Sequence, residues 1–472
     1  MGEFEMSEST RNQLLPGSEL FEAFRAGFGG ELITPQDAGY DEKRRVYNGM
    51  IDRHPALIAR CADVTDVIAA IHFAREHQLR LAVRGGGHNG GGLGTCDDGL
   101  VLDLSLMNRV EVNPDDRTVR VGGGCTQGEV DAAAHEHGLA VPAGVISSTG
   151  IGGLTLGGGH GYLACKHGLT IDNLLSADIV LADGNVVTAS DQEHPDLFWA
   201  IRGGGGNFGV AVSFVFQAHP VDTIMGGPVL WELDQAAEVM RWYREFTLTT
   251  SPDLYGFFAF MTVPPAPPFP EHLHNRKMCG IVFCYTGPME EAEAALASIK
   301  SVGEPALYGI QEMPFTMLQG AFDGLYPAGL QWYWRGDFVK ELSDQAIERH
   351  LEFAGKLPTM HSTMHMYPVN GAVHNKGAGD TAFSYRDVVW STVYAGVDPD
   401  PANASAIKDW CVDYWEALHP YSAGGAYVNF MMNEGDARVQ ATYRDNYPRL
   451  REVKGRYDPD NVFRINQNIT PA

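Results

Sequence analysis

Arg84-Gly85-Gly86-Gly87-His88-Asn89-Gly90-Gly91-Gly92-Leu93-Gly94 is the stretch whose reading decides the fold. It follows an expected strand, Leu79 to Val83. Glycine tolerates positive φ and lets backbone amides approach a ligand closely, so such a loop is a candidate cradle for phosphate or pyrophosphate. An ionisable side chain, His88, sits at its centre. A G-x-G-x-x-G spacing can be picked out here, but in a chain with 55 glycines the match is weak. No helix pattern follows to complete a βαβ unit. The spacing therefore predicts a cradle without that unit.

At 472 residues the chain exceeds one ordinary hydrophobic core, and two domains are expected. A hydrophobic fraction of 44% with 20% charged residues describes a globular protein. The formal charge of −25 argues against nucleic-acid and anionic-membrane partners, which would be repelled at long range. No apolar run reaches the length of a membrane span, and the start lacks a basic-then-apolar signal pattern, so a cytoplasmic protein is expected. Met1-Gly2-Glu3-Phe4 ahead of Met6 reads as a vector-derived scar, and Met6 at the hydroxyl position of the myristoylation pattern sets that modification aside. Cys61, Cys96, Cys125, Cys165, Cys279, Cys284 and Cys411 are odd in number. Their spacing fits neither a zinc site nor a redox pair, so reduced structural thiols and no metal are expected.

Along the chain, residues 1–33 read as a peripheral arm with a helix-like piece from Leu20 to Phe28. From Pro55 the pattern becomes regular. Ala56 to Ala59 reads as a strand, Asp63 or Thr65 caps a helix through Val67 to Ala74, and the next strand feeds the glycine loop. Leu100 to Leu104 and Thr118 to Gly122 are strands, Thr126 begins a helix ending near Gly138, and Asp183-Gly184 joins two apolar runs as a hairpin. His194 to Ile201 reads as a helix and Val210 to Phe216 as a closing strand. Beyond Pro220, helices are expected over Gln235 to Phe246, Glu290 to Lys300 and Ser343 to Leu357. Strands Tyr255 to Val263, Gly280 to Thr286, Met360 to Pro368 and Ala426 to Met431 would share one sheet. Trp332 and Trp334 alternate on a further strand and so share a face.

Three more stretches sharpen the reading: Gly150-Ile151-Gly152-Gly153-Leu154-Thr155-Leu156-Gly157-Gly158-Gly159-His160-Gly161, Asp196-Leu197-Phe198-Trp199-Ala200-Ile201-Arg202-Gly203-Gly204-Gly205-Gly206-Asn207-Phe208-Gly209, and Tyr457-Asp458-Pro459-Asp460-Asn461-Val462-Phe463-Arg464. With the first loop, and in that order, the set resembles the FAD-linked oxidases of the vanillyl-alcohol oxidase (PCMH-type) superfamily. The resemblance is to the berberine bridge enzyme-like branch, with its bacterial 6-hydroxynicotine oxidase and sugar oxidase relatives. It runs from about Thr34 onward. It implies an α+β, two-domain fold with FAD held by residues 34–218. A substrate domain is inserted over 219–431, built on an antiparallel sheet backed by helices. Residues 432–472 would return to the first domain.

The same resemblance assigns roles. His88 stands where the family bonds the flavin 8α-methyl covalently; taken alone, it would be a hydrogen-bonding loop residue. Arg84, Gly85, Gly86, Gly87, Asn89 and Gly94, with Thr149, Gly150, Gly153, Gly157, Gly158 and Gly161, are expected around the cofactor. Many members add a cysteine link in a segment written Ala-Gly-x-Cys. Here Ala143-Gly144-Val145-Ile146 puts Ile146 at that place, and a branched alkyl group cannot form the bond. Cys125 lies outside the matching segment and reads as a small buried residue. Thr149 replaces a small aliphatic residue thought to gate oxygen, which leaves oxidase and dehydrogenase both open. Tyr427-Val428-Asn429 matches a Tyr-x-Asn of sugar and alkaloid oxidases, on a strand facing the flavin. Oxidising an alcohol requires removal of its hydroxyl proton, and Tyr427 is the candidate base. A phenol of pKa about 10 needs a nearby charge to act so. Asn429 and Asn466 are expected to hold the cofactor. Trp332, Trp334, His365 and Tyr367, with Arg386, are candidates for the substrate pocket.

The implied activity is FAD-dependent transfer of a hydride from a CH–OH or CH–N group of a small molecule, such as a saccharide or secondary metabolite. Molecular oxygen would be the acceptor and yield hydrogen peroxide. A dehydrogenase using another acceptor and a non-catalytic flavin-binding protein are the alternatives.

Overall fold

The computed structural model describes residues 14–472; Met1 to Phe4 and Met6 lie outside them. Its first layer is a four-stranded sheet in the order Glu31–Ile33, Leu57–Arg60, Leu100–Asp103, Leu81–Arg84. The last three are parallel and almost wholly buried, which is why they read as unbroken apolar runs. Parallel pairing needs a crossover, and the helix Val64–Glu76 supplies it. Asp63 caps that helix, its carboxylate accepting from the amides of Thr65 and Asp66. Glu31–Ile33 pairs antiparallel at the edge, and Leu14 and Phe21 are buried in the same core. From Leu14 onward the expected arm is therefore part of this layer, because its Phe and Leu side chains have apolar surface to bury.

A five-stranded antiparallel sheet follows, in the order Val110–Asn113, Thr118–Gly122, Val210–Gln217, Leu174–Val180, Val186–Ser190. The Asp183-Gly184 turn sits in its hairpin, with Gly184 at φ +85°. Helix Gln127–His135 begins at a capping box between Thr126 and Glu129.

The third layer is an eight-stranded sheet in the order Leu307–Tyr308, Thr223–Glu232, Lys277–Tyr285, Leu254–Thr262, Thr363–Pro368, Trp390–Asp398, Gln331–Val339, with Gln311–Pro314 beside Thr223–Glu232. Helices Ala236–Thr249, Asp344–Ala354 and Ala404–Leu418 back one face through Tyr243, Phe246, Ile347, Trp410 and Tyr414. Alternate residues Phe257, Trp332, Trp334, Tyr367 and Val393 gather on the other face.

Two expectations are corrected, and the second glycine stretch, given no element above, has one. Ala426 to Met431 is not a strand: the amides of Phe430 and Met431 already bond back to Tyr427 and Val428, closing a 3-10 turn over Val428–Phe430. Glu290 to Lys300 breaks into an α-helix of five residues, Ala292–Leu296, between two 3-10 turns. The second glycine stretch contains a helix, Ile151–Leu156, driven by burial of Ile151, Leu154 and Leu156.

The tail helix Tyr447–Tyr457 packs against Pro195–Ile201 and ends in the Asp-Pro-Asp-Asn stretch. The Lys454 ammonium, fully buried, donates to Asp458 Oδ2 at 2.6 Å and to the carbonyls of Asn207 at 2.7 Å and Phe463 at 2.9 Å. Asp458 in turn accepts from the amides of Val462 and Phe463. One charge pair thus ties the tail to the Gly203–Gly209 loop. Removing one partner strands a buried charge, so Asp458→Ala is expected to cost about 3–5 kcal/mol in denaturant unfolding. Breaking the exposed Arg349–Glu352 pair by Glu352→Gln should cost less than about 1 kcal/mol.

Candidate functional site

The three layers enclose a cavity of about 350 Å³. Its walls are of three kinds. Leu81, Val83, Leu104, Phe463 and Ile465 give an apolar part, and Gly85 to Gly87, Gly150, Gly152, Gly153, Gly205 and Gly206 give bare backbone. Tyr47, Tyr326, Trp332, Trp334, Tyr367, Tyr427 and Phe430 give an aromatic part.

The glycine part is set by how closely two loops meet. A Cβ on Gly86 would lie 2.3 Å from the Gly150 nitrogen, and one on Gly150 would lie 2.2 Å from the Gly86 nitrogen. Arg84, at the end of its strand, anchors the first loop by donating to Asp103 Oδ2 at 2.7 Å, both groups being buried. Its charge is neutralised there, so Arg84 braces the cradle although it lines the cavity. Gly94 and Asn89 also line it. Gly157, Gly158 and Gly161 do not. Side chains there would strike the Asn429 amide at 2.4 Å, Phe383 at 3.0 Å and the Ala143 carbonyl at 2.2 Å, so these glycines serve packing behind the wall.

His88 projects from the loop and stacks on Tyr47, ring centroids 3.8 Å apart. Its Nε2 meets Ser148 Oγ at 2.9 Å; Nδ1 makes no hydrogen bond to a described residue. Burial pulls the imidazole down to about 4, so it is neutral near pH 7. Ile146 and Thr149 line the cavity beside it, and no cysteine does. Cys125 is buried with its thiol on the Arg109 carbonyl.

The Tyr427 hydroxyl accepts from the Gly159 amide at 3.0 Å and from Asn429 Nδ2 at 2.8 Å. Burial nevertheless pushes the phenol up to about 12. Among the described residues no cation stands beside it to reverse this, so the phenol stays protonated near pH 7. Asn429 also donates to the Gly153 and Leu154 carbonyls, which makes it a brace for Tyr427. Asn466 donates to Gly206 and Phe463, leaving its buried Oδ1 unpartnered.

Trp332 and Trp334 line the cavity from one strand, edge to face at 5.5 Å. His365 and Tyr367 line it from another, with Nδ1 and the phenol oxygen 2.6 Å apart. Arg386 does not: Asp172 holds it through two bonds of 2.7 and 2.8 Å, and its role is structural. Sequence reasoning missed Tyr47, Ser148, Tyr326 and Thr363, which belong to no motif. It also passed over His160, which sits inside a quoted stretch and lies 4.5 Å from the Tyr427 ring. Among the described residues, no Asp, Glu or Lys lines the cavity.

Apolar, glycine and aromatic walls in one cavity suit the adenine, pyrophosphate and isoalloxazine parts of FAD. The comparisons agree. Residues 55–190 match the FAD binding domain model and residues 426–470 the berberine and berberine-like model. An FAD-linked oxidoreductase of Dictyostelium discoideum is 33% identical over 98% of this chain and 99% of its own. Xylooligosaccharide oxidase of Thermothelomyces thermophilus is 28% identical over 90% and 89%. The crystal structure of 6-hydroxy-D-nicotine oxidase from Arthrobacter nicotinovorans superposes with a TM-score of 0.83 at 27% identity, covering 94% of this chain and 98% of that one.

The Gly86–Gly150 contact gives a direct test. Gly86→Ala is expected to lower stability by about 1–3 kcal/mol and to abolish flavin retention on purification. Gly153→Ala, whose Cβ meets nothing within 4 Å, should keep the wild-type melting temperature.

Proposed function

The chain belongs to the berberine bridge enzyme-like FAD-linked oxidoreductases, and from that premise we propose that it oxidises a CH–OH group of a small uncharged molecule. In this reading FAD is tethered through His88 alone, and molecular oxygen takes the electrons to give hydrogen peroxide. Residues 34–218 and 432–472 hold the cofactor, and 219–431 supply the substrate wall. The observation that carries the reading is that one cavity joins a glycine cradle, His88 with Nδ1 unpartnered, and an aromatic wall holding Tyr427.

When bound, FAD supplies the two-electron acceptor. The chain supplies placement. His88, neutral and stacked on Tyr47, offers Nδ1 as the tethering atom. Ile146 leaves no second tether. Tyr427, held by Gly159 and Asn429, donates a hydrogen bond to the reacting oxygen of the substrate. Trp332 and Trp334 offer flat faces that suit a sugar ring or an aromatic ring. A protonated amine would be desolvated here without a carboxylate to meet it, which favours alcohols over cyclic amines.

Thr149, polar and cavity-lining, favours neither oxygen nor another acceptor, so a dehydrogenase is the second reading. The test is anaerobic bleaching of the yellow protein with a panel of neutral sugars, alcohols and amines, followed by peroxide yield in air against dye reduction. Bleaching by an alcohol, with about one peroxide per turnover, is the expected result. Flavin should stay with acid-precipitated wild-type protein and pass into the supernatant from His88→Ala. Acid-stable flavin in His88→Ala would refute the tether, and a flavin that nothing bleaches would refute the oxidation.

A further inference from the structure

Alcohol oxidation leaves a hydroxyl proton to be accepted, and Tyr427, whose phenol stays protonated near pH 7, does not accept it. The other cavity-lining groups narrow the choice. No Asp, Glu or Lys is present, and Arg84 is committed to Asp103. His88 is engaged with Ser148 on one nitrogen and is the proposed tether on the other. His160 has both nitrogens shut away from the lumen, without partners. His365 differs. Its Nδ1 lies 2.6 Å from the Tyr367 hydroxyl, while Nε2 is not among the sealed atoms and meets no described hydrogen-bond partner.

We propose that His365, oriented by Tyr367, is the catalytic base that takes the substrate's hydroxyl proton at Nε2. This rests on the oxidation reading given above. The two residues alternate on strand Thr363–Pro368 and therefore share its cavity face. Phe257, from the neighbouring strand, lies 5.2 Å from the His365 ring and 4.8 Å from Tyr367 and fixes both. The proposal requires the tautomer in which Nδ1–H donates to the phenol oxygen, which leaves the lone pair on Nε2. As the C–O bond becomes C=O, the hydride and its two electrons would go to FAD, which the glycine loops and His88 would hold. The O–H proton moves to Nε2. The imidazolium is then steadied through Nδ1–H by the Tyr367 oxygen, and its proton returns to solvent once the product leaves.

Titratable neighbours do not compete for the proton. His160, 5.2 Å from Tyr367, has both ring nitrogens sealed, and Tyr326 is a partly buried phenol whose pKa burial raises. Asp323, on the same segment as Phe322, is held by the Ser147 amide and hydroxyl. Burial lowers the His365 imidazole to about 3, which keeps it unprotonated at pH 7 but weakens it as a base; its placement carries the assignment, with the proton accepted as hydride departure acidifies the hydroxyl.

The experiment uses the flavin-loaded full chain and the alcohol that bleaches it fastest. His365→Gln should slow anaerobic flavin reduction at pH 7 by about 100-fold. Part of the rate should return above pH 9, where hydroxide replaces the imidazole. Tyr367→Phe should slow it by about 10-fold. The wild-type rate should show no acid limb near pH 6.5. As a readout independent of turnover, phenol binding, followed by the flavin absorbance change, should weaken about 10-fold in His365→Gln, with toluene binding unchanged. Reduction at the wild-type rate in His365→Gln, or unchanged phenol affinity, overturns the assignment alone. Wild-type protein that no alcohol bleaches overturns the oxidation reading and this step with it.

Discussion

The structure depends on two stretches of bare backbone touching. Gly86 and Gly150 approach so closely that neither can carry a Cβ; Gly86 follows strand Leu81–Arg84 of the parallel layer, and Gly150 caps helix Ile151–Leu156. Neither residue has positive φ, so the requirement is one of space and not of backbone conformation. Around the contact, strong interactions are placed behind the cavity wall. Arg84 and Asp103 lock the first loop, and Lys454 and Asp458 lock the tail against the third glycine loop. Both pairs are buried, where losing one partner costs far more than an exposed pair is worth.

This arrangement explains what the sequence could and could not reveal. Strands Leu57–Arg60, Leu81–Arg84 and Leu100–Asp103 were legible because parallel strands are buried on both faces and read as continuous apolar runs. The helix start at Thr126 and the Asp183-Gly184 turn were legible because local hydrogen bonding dictates them. Strand Thr223–Glu232 was not, since Gly226-Gly227-Pro228 interrupts its pattern; Gly227, at φ +138°, is forced by the Gly309 carbonyl 2.2 Å from where a Cβ would stand. Nothing local announces that approach. Helix Ala404–Leu418 was overlooked although Ile407, Trp410, Cys411, Tyr414 and Leu418 mark its buried stripe.

The site shows the same division. Motif residues fixed the cradle and His88, because a backbone that must touch another backbone leaves glycine as its signature. The aromatic wall left no such trace. Tyr47, Tyr326 and Thr363 come from separate elements, and only the folding of the large sheet against the glycine loops brings them together. Tyr427 was found through its motif but placed on a strand. A 3-10 turn presents it instead, and the amide of Gly159 and the side chain of Asn429 fix its hydroxyl.

The charge distribution completes the argument about what the cavity accepts. The chain carries −25 overall, yet none of its acidic side chains, and no lysine, reaches the cavity wall among the described residues. An anion approaching would meet a repulsive outer field and then find no cation but an already paired arginine. A cation would be drawn in and then stripped of water beside neutral rings, with the nearby imidazoles of His88, His160 and His365 all held uncharged by burial. Both charged classes therefore pay desolvation without compensation. An uncharged, ring-bearing molecule loses little on entry and gains the full contact of the tryptophan and tyrosine faces. If the proposed oxidation holds, the wall would select for neutrality by omission, and its few polar atoms would orient the substrate hydroxyl.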